Sequence, residues 1–215
     1  LEFHGKYTNN HILNNARCLY IVGKLLNQEK LLLIGSEILR ALTGRYVKRG
    51  FLQEGSTHYH HILTRSYLEI FIISTSSGYV EMSKFISPIL SEMLDVCNLL
   101  QSKYGHNSYP LIGDISPDAL PSWFQGAPFS ENGDARSHWE TYFRSKEVIK
   151  FPRQSKSKHI SSEDNYNRWY KIGHKKCELW ITLKSTNDIS HGHEDNGSIV
   201  VLNKGRPIII DLGLA

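Results

Sequence analysis

The spacing of apolar residues changes along the chain, from a helical period in the first half to a strand period near the end. Between residues 10 and 103, apolar side chains recur at three- and four-residue steps, which is typical of amphipathic helices. From Arg168 onward, short apolar runs are separated by turn residues such as Asn203-Lys-Gly. Helices that precede the strands, rather than alternating with them, predict two segregated domains, one helical and one antiparallel β.

Four helices, packed as antiparallel hairpins, and four strands follow from these periods. Asn9 or Asn10 should cap the first helix, and Ser56 the third. Gly44 should end the second helix, because glycine is favoured just past a helix C-terminus. The predicted helices are 12–26, 29–43, 57–74 and a stretch that includes 85–100, and the predicted strands are 169–172, 177–183, 197–202 and 207–212.

Residues rich in Gly, Pro, Ser and Asp separate the two patterns and predict connecting loops. The sequence therefore divides into a helical domain at residues 1–105, a linker with connecting loops at 106–165, and the start of an antiparallel β domain at 166–215. The chain begins without Met and stops directly after an apolar run. We therefore expect it to be an internal piece of a longer protein.

Composition excludes several classes of protein. The 215 residues are 40% hydrophobic and 21% charged, which argues against a disordered, collagen-like or coiled-coil chain. The longest apolar runs have only about four residues, whereas a membrane helix needs roughly 20. The formal charge of +4 is spread over short clusters, so a nucleic-acid partner is not expected. The three cysteines lack C-x-x-C spacing and do not form a disulfide framework.

The segment 51–63 places one tyrosine and three histidines at a predicted helix start. Tyr59 follows Ser56 within the first turn. The free backbone N–H groups and the positive end of the helix dipole at this place would stabilise a tyrosinate, the form that a base must reach. The alternative is that Tyr59 and its neighbouring histidines are partly buried packing residues.

A second cluster, His191-Gly-His-Glu-Asp-Asn196, precedes a predicted strand. On an extended backbone His191, His193 and Asp195 would share one side and could converge on a metal or an anion. Asp211 would return beside His193 if the last two strands pair. The same residue types also occur in ordinary turns. Asn10-His11, at the start of the first helix, is explained equally well by helix capping.

Together these motifs resemble the heparinase II/III-like polysaccharide lyase family. The resemblance implies an (α/α) toroid of helices followed by an antiparallel β-sandwich, an α+β multidomain fold in which both domains are truncated here. It rests on four stretches: Asn10-His11 with Ala16, Glu54-Gly-Ser-Thr-His-Tyr-His60, Ile112-Gly-Asp114, and His191-Gly-His-Glu-Asp-Asn-Gly-Ser198 with Gly205-Arg-Pro-Ile-Ile-Ile-Asp-Leu-Gly213.

The resemblance implies β-elimination on a uronate-containing polysaccharide. A proton leaves the carbon next to the uronate carboxylate, the glycosidic oxygen departs, and an unsaturated sugar results. Tyr59 would act as base and acid, while Asn10, His11 and His191 would neutralise the carboxylate. Two further residues of the Tyr59 motif, Glu54 and His60, are the candidates for substrate binding. Alternatively, Glu54 braces or caps the turn before Tyr59.

The resemblance also implies a structural zinc at His193 and Asp211, completed by a histidine that lies outside this chain. It implies a periplasmic, cell-envelope or secreted location. The chain departs from the family where Ile-Ser-Pro-Asp follows Ile112-Gly-Asp114, and where Leu212 replaces a common proline. A non-catalytic carbohydrate-binding or surface-polysaccharide assembly protein with the same fold is the alternative function.

Overall fold

A computed structural model describes residues 11–104, 109–124, 168–183 and 197–211. Within these ranges four helices precede a four-stranded sheet, which confirms the predicted α+β order. The helices are α1 (His11–Leu25), α2 (Glu29–Tyr46), α3 (Thr57–Ser76) and α4 (Val80–Leu100), with a 3-10 helix at Pro121–Phe124. The strands are β1 (Val47–Lys48), β2 (Phe51–Leu52), β3 (Arg168–His174), β4 (Cys177–Leu183), β5 (Ile199–Asn203) and β6 (Arg206–Ile209). None of the helices described is long and apolar enough to cross a membrane.

Helices α1 and α2 form a close antiparallel hairpin. A Cβ atom on Gly23 would collide with the backbone N of Leu32, and one on Gly35 would lie 2.7 Å from the backbone N of Tyr20. Because these contacts run in opposite directions along the two helices, the N-terminus of α1 lies beside the C-terminus of α2. Only glycine permits so short a distance between the helices.

The end of α2 differs from the sequence prediction. The helix continues through Gly44 to Tyr46, and the N–H of Val47 donates to the carbonyl of Thr43. Gly44 is exposed, whereas Tyr46 is only 7% exposed. The predicted end at Gly44 is therefore wrong, because burial of the Tyr46 ring continues the packed face of the helix for another half turn.

The C-terminal sheet is an antiparallel meander in the order β3-β4-β5-β6. The predicted strand at 177–183 is confirmed at both ends, and the other three differ from prediction by one to three residues at their ends. Pairing of β5 with β6 across the turn at Lys204 confirms the expected return of the chain. Alternate residues of β4 are buried and face the helices.

Two tryptophans fix the sheet to the helical layer. Trp180 on β4 is fully buried and donates from Nε1 to the carbonyl of Leu99 near the end of α4, at 3.3 Å. The Trp169 ring on β3 lies 5.8 Å from the Phe51 ring and 5.7 Å from the His60 imidazole, measured between centroids. The sheet therefore packs against the N-terminal turn of α3 and the C-terminal turn of α4.

Candidate active site

The N-terminal ends of α1 and α3 lie on the same side of the helical layer. The hairpin of β1 and β2 joins the end of α2 to α3, and Thr43 Oγ1 lies 2.6 Å from the Tyr67 hydroxyl of α3. Arg17 of α1 contacts Glu69 of α3 at 2.7 Å. The Tyr20 hydroxyl, further along α1, lies 2.8 Å from Ser74 Oγ, further along α3, so the two helices run in the same direction. Two of the stretches that carry the resemblance therefore come to one end of the helices.

Tyr59 lies in the first turn of α3, and its position is fixed by the helix cap. Ser56 has an extended backbone, and its hydroxyl accepts a hydrogen bond from the Tyr59 N–H at 3.1 Å, which confirms the predicted N-cap. The Tyr59 side chain is half-buried, and its hydroxyl is hydrogen-bonded to the side chain of Ser116. The cap therefore fixes the backbone of Tyr59, and Ser116 holds the end of its ring.

Burial raises the pKa of the Tyr59 hydroxyl, and the negative charges of Asp114, Glu54 and Asp118 add to this effect, which the Ser116 hydrogen bond opposes. The sequence had suggested stabilisation of a tyrosinate by the helix dipole. The structure shows the opposite direction, because the ring is partly buried and because two of these carboxylates come from a loop about 55 residues further along the chain. Tyr59 is therefore a neutral phenol in the unliganded protein.

The loop that follows Tyr109 is tied to the start of α3. The Thr57 hydroxyl donates to the Pro110 carbonyl at 2.7 Å and accepts from the Ile112 N–H at 3.0 Å. The Ser56 hydroxyl donates to the carbonyl of Asp114 at 2.6 Å. These bonds place Ser116 against the Tyr59 hydroxyl, so the Ile112-Gly-Asp114 stretch belongs to the same site as the Tyr59 stretch.

Asp211 connects the sheet to this loop. Its Oδ2 atom accepts a hydrogen bond from the Gly113 N–H at 3.2 Å and another from the Ser198 hydroxyl at 3.1 Å. Gly113 has φ +74°, and a Cβ atom there would lie 3.2 Å from the Gly55 carbonyl oxygen. A side chain at position 113 would be strained and crowded, so only glycine fits this turn well.

Asp211 is the member of the predicted zinc pair that lies in the described part of the chain, and His193 falls outside it. The Oδ2 atom of Asp211 is engaged by the two donors named above. Among the residues that the structure describes, no group of three His, Cys, Asp or Glu side chains could hold a metal ion. The described residues therefore do not form a zinc site by themselves.

The three histidines around Tyr59 are in the protein interior. His58 Nδ1 lies 2.9 Å from the Tyr109 hydroxyl, and the His61 ring stacks on the Tyr109 ring at 3.9 Å between centroids. His60 donates from Nε2 to the Met93 carbonyl of α4 at 3.2 Å. All three histidines are fully buried. The packing interpretation of these histidines accounts for their positions.

Burial also determines the charge state of these histidines. It lowers the pKa of His60 to about 4, an effect that the Met93 carbonyl partly offsets. It lowers the pKa of His61 to about 3, and neighbouring His60 and His58 act in the same direction while the Thr57 carbonyl opposes them. Near neutral pH these imidazoles are uncharged, so they supply no positive charge to Tyr59.

The remaining predicted site residues fall into three groups. His11 is exposed at the start of α1. Glu54 and His60 are 1% and 0% exposed, which does not support substrate contact by either, and the bracing or capping role of Glu54 stays a prediction. Asn10, His191 and His193 lie outside the described residues.

Two residues that sequence reasoning did not single out contribute to the site. Ser116 contacts the Tyr59 hydroxyl, and Tyr109 contacts both His58 and His61. Ser116 lies in the Ile-Ser-Pro-Asp segment, where the sequence departs from the family pattern. That departure marked the position but did not indicate its contact with Tyr59. No local pattern marks Tyr109, because its partners lie about 50 residues earlier.

Two solved structures of a heparan sulfate lyase are similar to this chain. They are the HepC enzyme from Pedobacter heparinus, with a TM-score of 0.58 and 18% sequence identity, and a mutant of it, with a TM-score of 0.60 and 17% identity. The similarity covers 96% of this chain and 33% of each lyase. The chain has the fold of part of a heparan sulfate lyase.

The resemblance drawn from four short stretches is thereby confirmed at the level of the fold. The chain spans about a third of the length of the lyases that it matches. No protein-family model matches the sequence, and no curated protein matches it significantly.

Proposed function

We propose that the protein is a polysaccharide lyase that cleaves uronate-containing glycans by β-elimination. The observation that carries the proposal is the assembly around Tyr59. Within a heparan sulfate lyase fold, the start of α3, the Gly113 loop and the Asp211 end of the sheet are joined by hydrogen bonds, and the start of α1 lies on the same side of the helical layer. The resemblance assigns Tyr59 on α3, and Asn10 and His11 at the start of α1, to catalysis.

Tyr59 would exchange protons with the substrate. As base, its oxygen takes the proton from the carbon next to the carboxylate, the electron pair forms the new carbon–carbon double bond, and the bond to the glycosidic oxygen breaks. As acid, it returns a proton to that oxygen. Since its raised pKa makes it a neutral phenol at rest, the acid role needs no further change, whereas the base role needs positive charge nearby.

That positive charge would come from groups that also bind the carboxylate. We assign carboxylate neutralisation to Asn10, His11 and His191, because a negative charge develops on the enolate-like intermediate and hydrogen-bond donors stabilise it. His11 is suited to this role because it is exposed at the start of α1, which lies on the same side of the helical layer as the start of α3. The buried histidines of α3 are not, since they are neutral and face the interior.

A non-catalytic glycan-binding or surface-polysaccharide assembly function is the second candidate. Its supporting observation is the acidic setting of Tyr59, where Glu54, Asp114 and Asp118 all disfavour a tyrosinate. A protein with this function would bind the glycan at the same site without cleaving it.

The experiment that tests the proposal is incubation of the purified full-length protein with heparan sulfate, chondroitin sulfate, hyaluronan, alginate and bacterial capsule glycans. Elimination creates an unsaturated uronate that absorbs in the ultraviolet. A rise in absorbance with one glycan supports the lyase. Binding to a glycan with no rise in absorbance contradicts it and favours the second candidate.

A structural zinc at His193 and Asp211 and a periplasmic, cell-envelope or secreted location are separate proposals that rest on the resemblance alone. The zinc would hold the start of β5 and the end of β6 together. Metal analysis of the purified full-length protein tests it, with one zinc per chain expected and no bound metal as the contrary result.

A further inference from the structure

A continuous path of hydrogen bonds leads from the sheet to the backbone of Tyr59. Asp211 Oδ2 accepts from the Gly113 N–H, the next residue, Asp114, accepts at its carbonyl from the Ser56 hydroxyl, and that same hydroxyl accepts from the Tyr59 N–H. The distances are 3.2 Å, 2.6 Å and 3.1 Å. Three hydrogen bonds and one peptide unit thus connect two residues that are 152 positions apart in the sequence.

The loop around Gly113 is held from two sides, by the start of α3 and by the sheet. Thr57, at the start of α3, holds the part of the loop before Gly113 through its hydrogen bonds with Pro110 and Ile112. Asp211 is the partner that anchors the Gly113 N–H to the sheet. Three residues further along the chain, Ser116 contacts the Tyr59 hydroxyl, so a shift of the turn would displace that contact.

Ser198 keeps the Asp211 carboxylate in place. Its hydroxyl donates to the same Oδ2 atom, 3.1 Å away, from the start of β5. Asp211 itself follows two residues after the end of β6. The pairing of β5 with β6 therefore holds the Oδ2 atom of Asp211 at a fixed place opposite the loop. A residue that positions a reactive group must itself be held in place in this way.

We propose that Asp211 is a positioning residue for Tyr59 and acts as a hydrogen-bond acceptor for the Gly113 turn. The catalytic part of this inference rests on the proposed lyase function. Its structural part, the link between the sheet and the start of α3, does not. In this role the oxygen atom matters and the negative charge does not, which separates it from the metal-ligand role that the resemblance implies.

Two substitutions separate these roles. Asp211→Asn keeps an oxygen acceptor of the same size, whereas Asp211→Ala removes it. Hydrogen exchange measured by mass spectrometry on the full chain reports the link directly, through peptides that cover 113–118 and 56–63. Steady-state cleavage of heparan sulfate, the probe glycan, reports its effect on catalysis.

In Asp211→Ala we expect exchange in both peptides to become faster by about tenfold, the effect of one lost hydrogen bond. We expect kcat to fall by about 10- to 100-fold, as for a misplaced catalytic group, with a much smaller change in KM. Asp211→Asn is compared with wild type after chelation has removed metal from both. It should stay within about twofold of the wild-type exchange rates, because an acceptor is retained, and should keep most of the wild-type kcat under the same conditions.

Three results would overturn the inference. The first is an unchanged exchange rate at 113–118 in Asp211→Ala. The second is faster exchange at 113–118 in that variant while the exchange rate at 56–63 stays at the wild-type value. The third is an Asp211→Asn variant as impaired as Asp211→Ala in chelator-treated protein, which would assign the effect to the negative charge and not to the acceptor oxygen. If wild-type protein cleaves no glycan, the lyase proposal fails, and the exchange measurements still decide the link.

Discussion

The carboxylate of Glu178 lies 2.7 Å from the ammonium group of Lys171 at the junction between α4 and the sheet. Both side chains are largely buried, with 2% and 13% of their surfaces exposed. Glu178 also accepts hydrogen bonds from the Ser102 hydroxyl and the Lys103 N–H, and Lys171 donates to the Gln101 carbonyl. One charged network therefore closes the C-terminal end of α4 against β3 and β4.

Substitution of Glu178 should destabilise the protein strongly. Glu178→Gln leaves the Lys171 charge buried without its partner, which costs about 3–5 kcal/mol of unfolding free energy. The control is Glu81→Gln, because Glu81 is 91% exposed and 3.9 Å from Arg40, and exposed pairs contribute at most about 1 kcal/mol. Denaturant unfolding followed by circular dichroism measures both. Equal effects of the two substitutions would contradict the role of the buried network.

The same network predicts how stability depends on acid. Burial alone would raise the pKa of Glu178, but hydrogen bonds from Lys171, Ser102 and the Lys103 N–H, together with the Lys171 charge, lower it below 4.5. A lowered pKa in the folded state contributes stability above the unfolded-state pKa. This contribution is lost as pH falls from about 4.5 through the folded-state value.

The buried histidines predict a second loss of stability at higher pH. An unfolded histidine takes up a proton near pH 6.5, whereas folded His60 resists protonation until about pH 4. Stability should therefore be full above pH 6.5 and decrease by a few kcal/mol between 6.5 and about 4. His60→Gln should flatten the slope of unfolding free energy against pH between 7 and 5. An unchanged slope would show that His60 is not held neutral.

The two glycines of α2 should respond in opposite ways to alanine. Gly44 is exposed, and a methyl group added there would have no neighbouring atom within 4 Å, so Gly44→Ala should stabilise the helix by about 0.5–1 kcal/mol. At Gly35 the new methyl group would lie 2.7 Å from the Ala16 carbonyl oxygen, so Gly35→Ala should destabilise the hairpin. Thermal melting of both variants checks this. A destabilising Gly44→Ala would mean that α2 ends before Tyr46.

The sequence was sufficient to predict the helices, the strands and their order, because these depend on local periodicity. The Ser56 cap and the 177–183 strand were predicted correctly for that reason. The end of α2 was not, because burial of Tyr46 overrides the preference of Gly44 for a helix end. The hairpin of β1 and β2 was also missed, since each strand has only two residues.

The environment of Tyr59 could not be predicted from the sequence, because it depends on distant residues. The local motif indicated a positive helix end, but burial of the ring raises the pKa of Tyr59, and Asp114 and Asp118 from the loop after Tyr109 add to this effect. The contact of Asp211 with Gly113 likewise joins positions 98 apart. Only the packed fold shows which carboxylates lie near which groups.

The most direct test of the account is cleavage of heparan sulfate by the wild-type protein, Tyr59→Phe and Tyr79→Phe. Tyr79 is 39% exposed and lies just before α4, beyond the end of α3 that is farther from Tyr59. It therefore serves as the control. We predict that Tyr59→Phe loses about 10²- to 10⁴-fold in kcat without a change in melting temperature, because only the proton-transferring hydroxyl is removed. Tyr79→Phe should match wild type. Full turnover by Tyr59→Phe would contradict the assignment of Tyr59 as the proton-transferring residue.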